Sequence, residues 1–130
     1  MLENDFFQEV KDFVFNLFKN ELSPKVVYHN YNHTLQVVEA VNEISLAENI
    51  SEDELEILLL AAWFHDTGFI KGYKNHEESS KEIAKDFLTK KGFSEEKIAQ
   101  IFLLIDVTKM PQNPTTKLEE IICDADLFHL

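Results

Sequence analysis

The chain has no arginine. All 12 of its basic residues are lysines, set against 24 acidic ones, for a formal charge of −12 over 130 residues. Without a guanidinium fork it has no bidentate grip on a phosphate. A chain this acidic also lacks the clustered cations that displace counterions from a nucleic acid, so nucleic-acid binding is not expected. An anionic membrane surface is disfavoured for the same reason. Cysteine is nearly absent, and the single thiol, Cys123, excludes an intrachain disulfide. The longest apolar run, Ile57 to Phe64, is far short of the ~18 residues of a membrane span. Glu3 and Asp5 give the N-terminus the wrong charge for a secretory signal, which leaves the cytoplasm as the expected compartment.

Glycine and proline are also scarce, at three each, and the segments between them carry helical rather than alternating periodicity. The expectation is a single all-α domain, residues 1–130, built as a bundle of about six helices. Phe6, Val10, Phe13, Val14, Leu17 and Phe18 form one apolar stripe on a first helix that stops near Ser23-Pro24. A second begins around Tyr31 to His33 and turns Leu35, Val38, Val41 and Ile44 inward. Ser51-Glu-Asp-Glu reads as a cap and acidic first turn of a third, which runs to about His65. Gly68 and Gly72 mark a loop. His76 or Glu77 opens a fourth helix that ends at Gly92, with Lys90 and Lys91 in its last turn. Ser94 starts a fifth that ends before Met110-Pro111. After a loop from Pro111 to Pro114, Thr115 or Thr116 caps a sixth. Leu127, Phe128 and Leu130 still read as an inward face, so the native protein is expected to continue past this point.

Chemistry concentrates around histidine. Of the five, at 29, 33, 65, 76 and 129, His65 stands beside Asp66 at the end of the most apolar helix. Two polar, ligand-capable groups at the rim of a core carry a desolvation cost that a divalent cation relieves. Imidazole and carboxylate together suit Mn, Fe, Zn or Mg, and three or four protein ligands leave positions for water and substrate. His29 and His33 share a face if the helix there is continuous. Asp124 and Asp126 lie two apart, about 200° round a helix, so only one can face a common site. Trp63 and the phenylalanines are most simply core, and His129 has no assigned role.

The order His33, His65-Asp66, Asp124 resembles the H…HD…D pattern of the HD-domain superfamily of metal-dependent phosphohydrolases, an all-α fold. Tyr28-His-Asn-Tyr-Asn-His33 is similar to the Y-H-N-x-x-H segment of cyclic-nucleotide phosphodiesterases and of small bacterial HD proteins. His76-Glu77-Glu78-Ser79 and Asp124-Ala-Asp126-Leu127 are similar to the bacterial H-E-x-S and D-A-D-x-L stretches. The resemblance implies that His33, His65, Asp66 and Asp124, rather than Asp126, hold one divalent ion or two, among Mn, Fe, Mg, Zn, Ni and Co. It implies His29 as general acid, with Asp66 orienting water or bridging to a second ion. The implied activity is hydrolysis of a small phosphorylated substrate, a phosphomonoester or phosphodiester, with a nucleotide favoured.

His76 has three open roles: second-metal ligand, contact to substrate phosphate, or structural residue at a helix start. Lys71 and Lys74 are candidate phosphate contacts or ordinary solvated loop lysines. Two other functions fit the same residues. A di-iron oxygenase needs further histidines between the HD pair and the last aspartate, where only His76 occurs. A non-catalytic nucleotide-binding regulatory module needs no intact ligand set. Oligomeric state is not encoded in these patterns.

Overall fold

The computed structural model describes residues 4–72 and 74–128. His129 and Leu130, noted above, lie outside the described residues. Six α-helices and one 3-10 helix follow in order: α1 (Asn4–Glu21), α2 (Pro24–Ala47), α3 (Glu52–Phe64), the 3-10 segment (Thr67–Lys71), α4 (His76–Lys90), α5 (Glu95–Val107) and α6 (Lys117–Leu127). No strand occurs among the described residues.

The bundle is organised around α3. Every residue from Ile57 to Phe64 is buried, so this part of the helix has no solvent face, and α3 packs against all five others. Its start is fixed by a complete capping box: Ser51 Oγ accepts from the Glu54 N–H, and Glu54 Oε1 accepts from the Ser51 N–H. Val10, Val14 and Phe18 of α1, Val37 and Val41 of α2, and Ile121 and Ile122 of α6 close over it. Phe13, Phe64 and Phe87 tie α1, α3 and α4 together, with ring centroids 4.6 to 6.1 Å apart.

Helix α2 begins at Pro24 rather than around Tyr31, the one sizeable departure from the expected boundaries. Ser23 is extended at the N-cap position, and a proline in the first turn gives up no intrahelical hydrogen bond, so Ser23-Pro24 both ends one helix and opens the next. His29 and His33 are thereby one turn apart on a continuous helix. At the end of α4, Gly92 adopts φ 87° while the Phe93 N–H reaches the Leu88 carbonyl and the Gly92 N–H reaches that of Thr89. This is the Schellman arrangement that a glycine permits. No helix of the described residues is long and apolar enough to cross a membrane.

Candidate metal centre

The C-terminal end of α3 is buried, so its free carbonyls need donors. Side chains supply them. His65 Nδ1–H donates to the Ala62 carbonyl at 2.7 Å, and Thr67 Oγ1 donates to that of Phe64 at 2.7 Å. Ser80 Oγ, reaching across from α4, donates to the His65 carbonyl and accepts from the Gly68 N–H, both at 2.8 Å. Gly68 permits this approach: a Cβ there would lie 1.9 Å from the His76 carbonyl oxygen. The same packing brings α4 against Asp66, where His76 Nε2 stands 3.2 Å from Asp66 Oδ1 and 3.2 Å from Oε2 of the buried Glu77. The His76 ring stacks on Phe69, with centroids 3.9 Å apart.

Because a carbonyl can only accept, His65 Nδ1 carries the proton and Nε2 is free to act as a ligand. Nε2 lies 3.3 Å from Asp66 Oδ2 and 3.2 Å from Asp126 Oδ1. His33 Nε2, from α2, joins them at 3.6 and 3.0 Å from the same two oxygens. One donor atom from each of His33, His65 and Asp66 lies within 4.8 Å of the other two. A neutral imidazole lone pair facing two carboxylates is an arrangement of acceptors with nothing to share, which only a proton or a metal cation resolves. The donor set, two imidazole nitrogens and two carboxylate oxygens, fits a borderline or hard divalent ion.

The protonation energetics agree. Burial alone would lower the affinity of His65 for a proton, but Asp66 and Asp126 outweigh it and hold His65 well above its ordinary 6.5. Burial would raise Asp66, yet His65, His76 and His33 hold it far below the usual carboxylate range. Asp126 is likewise held far below that range, with burial opposed by His33 and His65. The unused Cys123 thiol is pushed up to about 11, by burial and then by the charges of Asp126, Asp124 and Glu119, so it is a poor ligand.

The structure brings together His33, His65 and Asp66 as expected, but the last carboxylate is Asp126, not Asp124. Asp124 is exposed. On α6, Asp126 falls on the arc between the buried Ile122 and Cys123, whereas Asp124 shares its side with the exposed Glu120 and Leu127. Those apolar neighbours were the available signal. His76 sits on the second oxygen of Asp66. His29 is exposed one turn before His33, and Lys71 and Lys74 are both exposed. Sequence reasoning missed Ser80, Glu77 as the partner of His76, and Gln112, whose amide donates to Asp126 Oδ2 at 2.9 Å.

This geometry stands with a match to the HD-domain family model over residues 30–130, and the chain belongs to that family, whose domains bind divalent metals. A crystal structure described as a predicted HD superfamily hydrolase from an uncultured Thermotogales bacterium superposes with a TM-score of 0.74 at 28% identity. The alignment covers 92% of this chain and 66% of that one, so the present chain spans just under two thirds of that protein. Among proteins of curated function, none matches.

Proposed function

We propose that the chain is a metal-dependent hydrolase that cleaves a phosphomonoester or phosphodiester, with a nucleotide as the favoured substrate. The observation that carries this reading is the convergence of His33 Nε2, His65 Nε2, Asp66 Oδ2 and Asp126 Oδ1, with the opposite nitrogen of His65 committed to the Ala62 carbonyl. Membership of the HD family and the hydrolase description of the similar structure support it.

A divalent ion held there by His33, His65, Asp66 and Asp126 would lower the pKa of a water toward neutrality and would supply positive charge for the phosphoryl oxygens. That charge matters in a chain with no arginine, because phosphate-ester hydrolysis depends on neutralising the transferring group. His65 and Asp66 keep fixed orientations, one through Ala62 and the other between two imidazoles. His29, exposed one turn from His33, has the freedom to donate a proton to the departing oxygen. Asp66 is the candidate for orienting the attacking water, and His76, against its Oδ1, limits how that carboxylate can turn.

The test is a screen of nucleotides, cyclic nucleotides, dinucleotides and simple phosphate esters with the full chain and added Mn, Mg, Ni or Co. The expected result is metal-dependent release of phosphate or a nucleotide, abolished in His65→Ala. Metal bound with no ester turned over would favour a regulatory module. Oxygen consumption on an organic substrate would favour the oxidative reading, and no metal bound at all would remove both enzymatic ones.

A further inference from the structure

Asp126 stands in the last turn of α6, which ends at Leu127. A helix C-terminus is the negative end of the macrodipole and the part of a helix that frays, so it is a poor place to hold a half-buried carboxylate at a fixed angle. The restraint comes from elsewhere. Gln112, in the loop between α5 and α6, donates through Nε2 to Asp126 Oδ2 at 2.9 Å and to the Thr108 carbonyl at 3.1 Å. Both partners are acceptors, so the amide can have only one orientation, with its nitrogen toward Asp126. Thr108 is itself buried and caps α5 through its hydroxyl, which donates to the Ile105 carbonyl at 2.6 Å. Gln112 therefore ties the anchored end of α5 to the end of α6.

This orientation leaves Gln112 Oε1 buried with no hydrogen-bond donor among the described residues. A buried acceptor without a donor is costly. An apolar side chain would fill the same loop without that cost, so the amide is accounted for by what its nitrogen does rather than by packing. Being neutral, it also fixes a carboxylate without adding a positive charge to compete with a cation. A lysine at that position would satisfy Oδ2 and at the same time weaken the attraction of Asp126 for a metal.

We propose that Gln112 is the positioning residue of Asp126: by occupying Oδ2 it leaves Oδ1 directed at His33 and His65, and in this way it sets the affinity and ligand geometry of the cluster for a divalent cation. The inference rests on reading the cluster as a metal site. Partners that orient a ligand from behind are commonly worth about 10- to 100-fold in metal affinity.

The experiment titrates Mn(II) calorimetrically, and records the absorption spectrum with Co(II), for the full-length wild type, Gln112→Leu and Gln112→Met. The second variant serves if the first does not fold. The expected result, in a variant whose metal-free form still unfolds cooperatively, is Mn(II) binding weakened about 10-fold or more and a changed Co(II) spectrum. Wild-type affinity in a folded variant would overturn the role of Gln112 alone. Weakened binding with an unchanged Co(II) spectrum would overturn it too, since the ligand geometry would then not depend on the amide. A wild type that takes up neither ion would remove the metal reading and this proposal together.

Discussion

Asp126 Oδ1 lies 3.0 Å from His33 Nε2, joining the last turn of α6 to the third turn of α2, while Asp124, two residues earlier, faces out. Asp126→Asn is therefore expected to weaken Mn(II) binding by at least about 10-fold, and Asp124→Asn to leave it as in wild type. Calorimetric titration of the two variants side by side decides between the two aspartates. The reverse result would return the ligand role to Asp124.

His29 is exposed and has no part in the donor cluster. His29→Ala should keep wild-type Mn(II) affinity and lower kcat on the true substrate by about 100-fold or more, as loss of a general acid does. An unchanged kcat would remove His29 from the mechanism.

Protons and metal compete for the same cluster, which gives stability an unusual dependence on pH. His65 is raised above 6.5, so its contribution to the metal-free chain is complete below pH 6.5 and lost as pH rises through its folded value. Asp66 and Asp126 are depressed below 3.8, so theirs is complete above pH 3.8 and lost only in stronger acid. Metal-free protein should melt highest between these limits and progressively lower as pH rises above 6.5. With saturating Mn(II) the trend should reverse over neutral pH, because the ion displaces the His65 proton. Thermal melts across pH, with and without metal, measure both; a metal-free curve that keeps rising above pH 6.5 would contradict the assignment.

The junction of Gly68 with α4 allows no side chain. Gly68→Ala places a Cβ against the backbone of His76 and Ser80, and should cost roughly 3 kcal/mol, or about 10 °C in Tm. Ser80→Ala should cost about 2 kcal/mol, since it strands the His65 carbonyl and the Gly68 N–H. If Gly68→Ala melts like wild type, α4 does not pack as closely on the segment from His65 to Gly68 as the 1.9 Å approach requires.

Much of this was legible in the sequence, and the limits are physical. The Ser51 cap and the Gly92 stop are local signals, decided within a turn, and both are where they were expected. Ser23-Pro24 is local too, but it carries two meanings, an end and a beginning, and only the packing of the segment after it makes the second one visible. His33, His65 and Asp66 could be paired from their order along the chain. The last aspartate could not, because its choice depends on which arc of α6 the core occupies, and the burial of Cys123 widens that arc to take in Asp126. Gln112 and Ser80 act across sequence separations at which periodicity says nothing.

Helix α3 runs without interruption from the cap at Ser51 to His65 and is enclosed along its inner length. Each residue of an α-helix turns the chain by about 100° and advances it by about 1.5 Å. One residue inserted or deleted between Ser51 and His65 would thus either swing the imidazole away from His33 and Asp126 or drag the cap out of register. The surface turn at Gly92 can absorb a change of length; the stretch from Ser51 to His65 behaves as a fixed measure, and length variation among related chains should be confined to segments outside it.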